Sequence, residues 1–324
     1  MKVYLSLADG KVFTGSSLSG NVHACGMLSF SLTEFGFEES ITNPANTGKI
    51  IMFTFPIIGG MGINFEDNLS FAVCVNGVIC KENSDIYSNF RAKTSIKEYL
   101  NSNNKVYADS FDTRAILLHL REFGEMPATI ADKPYSKEDV IKEYNSLNTD
   151  YKQINHPLNN NKKIKAKILD LGASKTFYKM LDKFGIYNSQ DDYDLIVISN
   201  ANIFNLQNPK YVDFIKENKD KKIIAFGDSN LLIAKAFDLE YKSLGLGHHG
   251  SNIPVKNNLN NKDYITGQNH LYFIPEQSKV QVFFKNIHDN STEAYISKDL
   301  SFAGFNFKPL EITINNTLNM MGVK

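Results

Sequence analysis

Cysteine is scarce in this sequence: its 324 residues include three, Cys25, Cys74 and Cys80. An odd, low count in a chain of this size argues against a disulfide framework, because bridges need pairs and disulfide-built folds are short and dense in cysteine. The count therefore indicates a reducing compartment. We expect the three thiols to be ordinary small core or surface groups.

An excess of charge and long apolar runs are also missing. Lys+Arg and Asp+Glu both number 35, so the net charge is zero, and nothing favours nucleic acid or an anionic membrane as a partner. No stretch approaches the roughly 18 apolar residues that a membrane span needs. The N-terminal stretch MKVYLSLADGKVF lacks the apolar core and cleavage site of a secretory signal. We expect a cytoplasmic protein.

The first part of the chain is predicted to be a β-rich domain over residues 1–145. VYLSL and KVFTGSSL flank Asp9-Gly10, which predicts a hairpin. Further short strands follow in GMLSFSLTEFGFEESIT and KIIMFTFPIIG. Two helices are predicted after them, in SIKEYLNSNN and in DTRAILLHLREFGEM, where Asp112 or Thr113 is the expected N-cap.

The second part has a different order of predicted secondary-structure elements. The polar run NSLNTDYKQINHPLNNNKK predicts a linker over residues 146–163. Residues 164–324 then alternate strand and helix, as in KIKAKILDLG followed by ASKTFYKMLDKFG, before ending in several strands. Such alternation is typical of a doubly wound, mostly parallel sheet. The predicted fold class is α/β.

One segment of this second part, Ile223–Leu232, reads IIAFGDSNLL. An apolar strand, a sharp turn and an apolar helix follow one another directly. In many hydrolases the nucleophile sits in such a turn. The chemistry of these few residues therefore decides what the domain can do.

Five stretches, in order, resemble the small subunit of carbamoyl-phosphate synthase, a glutamine-hydrolysing partner of a larger ATP-using synthetase. They are TEFGFEESITNPANTGKIIMFTFPIIGGMGIN, ADSFDTRAILLHLREFG, ILDLGASKTFYKML, LGLGHHGSNIPV and TGQNH. Five ordered matches over nearly the whole chain make the resemblance specific. It implies a distinctive N-terminal domain followed by a class I glutamine amidotransferase-like domain, and a large subunit as partner. It implies no cofactor for this chain.

In that family a Cys-His-Glu triad hydrolyses glutamine, and the large subunit uses the ammonia with bicarbonate and ATP. The family's elbow reads G-I-C-L-G-H-Q-L-L. Anchored on Leu231-Leu232, the cysteine position falls on Phe226 or, with one more gap, on Ala225. The family's F-H-P-E stretch corresponds to FNFKPLE, with Lys308 at the histidine and Leu310 at the glutamate. None of these four side chains can replace the triad's nucleophile, general base or orienting acid at its position.

The loop expected to stabilise the oxyanion is altered as well. The family's S-N-G-P-G-D-P corresponds to SNANIFN, residues 199–205, which lacks the glycines that let backbone N–H groups turn towards a ligand. Ala45 stands where the family has a serine of the glutamine pocket. Because nucleophile, base, orienting acid and oxyanion loop are changed together, we predict that the glutaminase is inactive and that the turn is a structural relic.

Other polar residues allow plainer interpretations. Ser229 is expected to be the N-cap of the following helix. His248 and His249 are adjacent on a predicted strand, so they point to opposite faces, and no metal site is predicted from the pair. Gln268, Asn269 and His270 match a Q-N-H segment that lines the family's glutamine pocket. They are a candidate remnant of that pocket, but structural roles as hydrogen-bonded side chains are favoured over it.

Three functions stay open at this point. The first is a non-catalytic small subunit that supports a large subunit using free ammonia, for pyrimidine and arginine synthesis. The second is an active amidotransferase with displaced residues, which would need one of the three cysteines as nucleophile. The third is a regulatory module that binds glutamine or another small molecule without cleaving it. Fold analogy does not choose among them.

Overall fold

The chain divides into two compact units, Met1–Tyr151 and Lys152–Lys324, in a computed structural model that describes residues 1–17, 20–147, 164–308 and 311–323. All but two residues of the predicted linker lie outside the described residues. The predicted domain limits therefore stay predictions.

The described part of the first unit contains a seven-stranded mixed sheet, a two-stranded sheet and four α-helices. Its strands are β1 (Lys2–Leu7), β2 (Val12–Ser16), β3 (Ala24–Ser31), β4 (Lys49–Phe53), β5 (Ile57–Ile58), β6 (Gly77–Ile79), β7 (Glu82–Asn83), β8 (Val106–Ala108) and β9 (Met126–Ala131). Its helices are α1 (Phe37–Thr42), α2 (Ile96–Ser102), α3 (Thr113–Phe123) and α4 (Lys137–Ser146). The main sheet has the order β2-β1-β9-β3-β4-β6-β8, and β5 pairs with β7.

Local signals in the first unit form the structures they predict. The hairpin of β1 and β2 turns at Gly10, whose φ of 96° is one that glycine adopts without strain. Asp112 is the N-cap of α3, and its carboxylate accepts from the backbone N–H of Ala115. A capping box joins Ser95 and Glu98 at the start of α2.

The second unit is built on one nine-stranded sheet. Its strands are β10 (Ile164–Leu169), β11 (Ile186–Asn188), β12 (Leu195–Ile198), β13 (Lys222–Phe226), β14 (Lys242–Asn257), β15 (Lys262–Phe273), β16 (Val280–Asn286), β17 (Thr292–Ser297) and β18 (Phe302–Phe305). Its helices are α5 (Lys175–Lys183), α6 (Ile203–Gln207), α7 (Pro209–Glu217), α8 (Asn230–Phe237) and α9 (Glu311–Met320).

The sheet order is β11-β10-β12-β13-β18-β17-β16-β14-β15, with its first five strands parallel and the remainder antiparallel. Both faces are covered. Along β12, Leu195 and Val197 pack into one apolar core while Ile196 and Ile198 pack into the other. A strand apolar on both sides is what a doubly wound sheet requires, and it confirms the predicted α/β class.

The parallel arrangement brings three loops to one edge of the sheet. β12, β13 and β18 are adjacent and run in the same direction, so the segments after Ile198, Phe226 and Phe305 leave from their carboxyl ends together. Open α/β sheets bind ligands at this edge. The candidate site is therefore at the ends of these strands.

Gly304 provides a test of packing at this edge. A Cβ on Gly304 would lie 2.0 Å from Asn230 Oδ1 and 2.5 Å from the ring of Tyr295. We expect Gly304→Ala to lower the free energy of unfolding by about 1–3 kcal/mol, the usual cost of overpacking a filled core, as measured by urea denaturation.

The matched control is Gly267→Ala in β15, where the nearest atom to an added Cβ is 3.9 Å away. This variant should stay within about 0.5 kcal/mol of the wild type. Equal losses in the two variants would contradict the packing described at Gly304.

Candidate active site at the carboxyl ends of the parallel strands

The turn after β13 has its one left-handed residue at Gly227. Phe226 is extended, with φ −124° and ψ 141°, whereas Gly227 has φ 56° and opens a short 3₁₀ turn that leads into α8. In a nucleophile elbow the strained residue of the strand-to-helix turn carries the nucleophile. By this criterion the elbow position is Gly227, one residue beyond Phe226.

The two positions chosen by alignment lie on the strand itself. Ala225 is fully buried in one core, and Phe226 packs in the other, with its ring 5.7 Å from that of Phe305 and stacked on it. Neither side chain is at the tip of the turn. Anchoring on Leu231-Leu232 gives Phe226 or Ala225, and neither register reaches Gly227, which only its positive φ identifies.

Asn200 occupies the space beside Gly227. A Cβ built on Gly227 would lie 2.4 Å from both Cγ and Oδ1 of Asn200. The same Oδ1 accepts hydrogen bonds from the backbone N–H groups of Ala201, at 2.8 Å, and Asp228, at 3.0 Å. Its amide nitrogen donates to the carbonyl oxygen of Asn269 at 3.0 Å. Any side chain at position 227 would collide with this amide.

The two N–H groups held by Asn200 are those an oxyanion hole would use. One belongs to Asp228, the residue after the elbow position, and the other to Ala201 in the predicted oxyanion loop. Beyond Ala201 the loop is fixed by Asn202, which is buried and whose Oδ1 accepts from Phe204 and Asn205 at the start of α6. The loop is thus stabilised by side-chain caps and not arranged around an open anion site.

The remaining turn residues make structural contacts. Asp228 is buried, and its Oδ1 accepts from the backbone N–H groups of Leu271, at 2.7 Å, and Tyr272, at 3.1 Å. Ser229 is the N-cap residue of α8, as expected, but its side chain makes no capping hydrogen bond. Its hydroxyl donates to the carbonyl oxygen of Ser199 instead.

The segment after β18 contains none of the expected catalytic groups in its described part, residues 306–308. Lys308 is exposed, and its backbone N–H donates to the carbonyl oxygen of Gly267. Asn306 is buried between the carbonyl oxygen of Thr292 and the side chain of Asn230. Leu310, the predicted replacement of the glutamate, lies outside the described residues.

The predicted pocket residues are engaged inside the protein. Gln268 is buried, with Nε2 3.0 Å from Thr266 Oγ1 and Oε1 3.1 Å from His270 Nε2. Asn269 Oδ1 lies 2.7 Å from His249 Nδ1. The structure gives these side chains partners within the sheet, as the structural interpretation expects, and the glutamine pocket stays a prediction.

His270 also belongs to a buried charged cluster that the sequence did not reveal. Glu293 is fully buried, with Oε1 3.0 Å from His248 Nδ1 and Oε2 3.3 Å from His270 Nε2. Asp289 lies 2.9 Å from the other nitrogen of His248. His249 points away from this cluster, as predicted for neighbours on a strand. No spacing rule joins residues from three strands, so only the fold brings them together.

Charge and burial set the protonation of this cluster. Burial alone would lower the pKa of His248, but the hydrogen bonds and charges of Asp289 and Glu293 outweigh it and raise that pKa to about 9. Burial alone would raise the pKa of Glu293, but the neighbouring imidazoles lower it to about 2. At neutral pH Glu293 is therefore a carboxylate.

Known proteins similar to this chain agree with the resemblance. Residues 5–130 match the family model described as carbamoyl-phosphate synthase small chain, CPSase domain. The carbamoyl phosphate synthase small chain of Caldanaerobacter subterraneus is 32% identical, with 95% of this chain and 91% of that protein covered. The arginine-specific small chain of Bacillus subtilis is 30% identical, with 95% and 92% covered.

Among solved structures, a glutamine amidotransferase from Thermotoga maritima matches 49% of this chain and 82% of its own, with 9% identity and a TM-score of 0.34. On the two sequence relatives, the chain belongs to the carbamoyl phosphate synthase small-chain family. In the part of the chain that the structure describes, no helix has both the length and the apolar composition needed to cross a bilayer.

The contact of Asn200 with Gly227 can be tested by a double-mutant cycle. Gly227→Ala should lower the free energy of unfolding by about 3 kcal/mol, because the added Cβ is strained at positive φ and also collides with Asn200. In an Asn200→Ala background the collision is gone, so the same substitution should cost only about 1 kcal/mol. Urea denaturation of the four proteins measures the coupling.

Asn200→Ala alone should cost about 2 kcal/mol, because it leaves two backbone N–H groups without their acceptor. The control is Asn315→Ala on the exposed side of α9, which should change stability by less than about 0.5 kcal/mol. Strictly additive losses at 200 and 227 would show that the amide does not fill the elbow.

Proposed function

We propose that this chain is a glutaminase-inactive small subunit of carbamoyl-phosphate synthase. It binds a large subunit that makes carbamoyl phosphate from bicarbonate, ATP and free ammonia. The observation that carries the proposal is the state of the elbow, where Gly227 has no side chain and Asn200 fills the space of one. An amide hydrolase of this type needs a nucleophile at that point.

The other catalytic groups support the same conclusion. We assign the elbow position to Gly227, so the substitution of the nucleophile does not depend on whether the alignment favours Ala225 or Phe226. The N–H groups of Ala201 and Asp228 already donate to one amide oxygen and would have to be released before an oxyanion could bind. Lys308 supplies an ammonium, not an imidazole, where the base is expected.

A displaced cysteine nucleophile has little support. The attacking species is the thiolate, and burial raises the pKa of Cys25 to about 11 and that of Cys80 to about 12. Burial also raises the pKa of Cys74. All three are therefore protonated thiols near neutral pH. No imidazole is among the hydrogen-bond partners found for these thiols in the described residues.

A glutamine-binding regulatory role is weaker for a related reason. Gln268 and His270 contact each other, and the side chain of Asn269 contacts His249. Recruiting these groups to a ligand would break contacts inside the sheet. The names of the relatives favour a biosynthetic role, and the arginine-specific small chain of Bacillus subtilis supports arginine synthesis as one destination of the carbamoyl phosphate.

The test is to co-express the chain with the large subunit from the same genome and assay the purified complex for carbamoyl phosphate. We expect activity with ammonium and none above background with glutamine. The matched control is the same large subunit with a small chain that keeps the cysteine, histidine and glutamate, which should use both nitrogen sources. Glutamine-dependent activity of the complex, lost on thiol alkylation, would overturn the proposal.

Two further outcomes separate the alternatives. Absence of a complex would favour a free-standing regulatory role over a scaffold. Calorimetry of the isolated chain with glutamine should show no binding heat, and a saturable signal lost in Gln268→Ala would favour the glutamine-binding module.

A further inference from the structure

The cluster of His248, His270 and Glu293 has no part in the proposed function. Its residues lie on β14, β15 and β17, and one ligand-type atom from each falls within 4.8 Å of the others. We propose that these three side chains bind one divalent transition-metal ion, and that zinc fits them best. Two imidazole nitrogens and one carboxylate oxygen are a ligand set that zinc accepts, and Fe(II), Cu(II) and Ni(II) also bind such ligands.

One ligand atom from each residue lies within 4.8 Å of the others, somewhat wider than a bound zinc ion requires. Ligands about 2.1 Å from a tetrahedral ion lie about 3.4 Å from each other. Glu293 Oε1 is 3.0 Å from His248 Nδ1, and Glu293 Oε2 is 3.3 Å from His270 Nε2. Gln268 Oε1 is 3.1 Å from the same His270 nitrogen and is placed as a fourth donor. Small rotamer changes would complete the set.

The outer contacts are those that orient metal-binding histidines. Such a histidine usually donates its second ring N–H to a carboxylate or to a backbone carbonyl. His248 has Asp289 Oδ2 at 2.9 Å from Nε2, and His270 has the carbonyl oxygen of Tyr272 at 3.1 Å from Nδ1. Both rings are therefore held with one nitrogen facing Glu293. An ordinary ion pair does not require both of these supports.

Glu293 supplies a second, independent observation. The residue is fully buried, and its Oε2 makes no hydrogen bond although it lies near His270. A buried carboxylate oxygen without such a bond is costly. Oε1, in contrast, accepts from Asn286 Nδ2 at 3.0 Å. A cation between Oε2 and the two imidazoles would satisfy the oxygen that is left over.

A divalent ion would balance the charges of the cluster. Glu293 and Asp289 contribute two negative charges, and neutral imidazoles contribute none. A zinc ion brings the group to zero. With its ligands on three strands and two of them fully buried, such an ion would be structural and would tie β14, β15 and β17 together.

The test uses the full chain, stripped of metal with a chelator, and then titrated with zinc chloride against a chromophoric competitor. We expect one ion per chain, visible d–d absorption of a four- or five-coordinate site when cobalt(II) replaces zinc, and a higher Tm with bound ion. His248→Gln should weaken zinc binding by at least about tenfold, and Asp289→Asn by about tenfold through the orientation of His248.

The control is His288→Gln, which removes an exposed imidazole of the same unit and should leave affinity unchanged. Wild-type binding that is absent, or no tighter than in His248→Gln, would overturn the proposal and identify the cluster as a network held by protons. A loss of binding in His288→Gln alone would instead indicate surface chelation. None of these outcomes affects the ammonium and glutamine assay.

Discussion

The amide of Asn200 is the interaction on which the rest of the site depends. Its oxygen joins the loop after β12 to the turn after β13 by accepting from Ala201 and Asp228, and its nitrogen reaches β15 at Asn269. This arrangement requires that residue 227 have no Cβ. In this conformation the amide of Asn200 occupies the space that a side chain at residue 227 would need. The same amide satisfies donors that would otherwise be without an acceptor.

The polar side chains around the turn are likewise satisfied by hydrogen bonds inside the protein. Asp228 binds two backbone N–H groups of β15, and Asn230 joins Tyr295 and Asn306 across the sheet. A working hydrolase leaves such donors and acceptors free for a substrate, at a cost in stability. Here the polar groups of the edge bond to one another. The hydrogen bonds at the strand ends thus support the fold.

Sequence alone predicted what depends on neighbours along the chain. The turn at Gly10, the cap at Asp112 and the alternation that gives a doubly wound sheet are local patterns, and the structure has them. Contacts between residues distant in the chain could not be predicted from the sequence. Asn200 meets Gly227 only because β12 and β13 are adjacent and parallel, and Glu293 meets His248 only through the order of the antiparallel strands. The sequence alignment assigned the elbow to Phe226 or Ala225, which lie on the strand. The amino-acid sequence alone does not show that Gly227 is the residue with positive φ.

Membership of the family is compatible with the proposed loss of its chemistry, because catalysis depends on few residues while the relatives match 95% of the chain. The family-model match covers residues 5–130, within the first unit, whereas the changed positions at the strand ends all lie in the second. If a small chain must still bind a large subunit, the amino acids of its binding surface remain constrained. A glutaminase, in contrast, is abolished by losing one nucleophile, after which the base, the orienting acid and the oxyanion donors are free to change. The combination on which the proposal rests is Gly227 at the elbow, a 199–205 loop without the family's glycines, and Lys308 in place of the histidine. This sequence of events would produce that combination, and a single displaced residue would not.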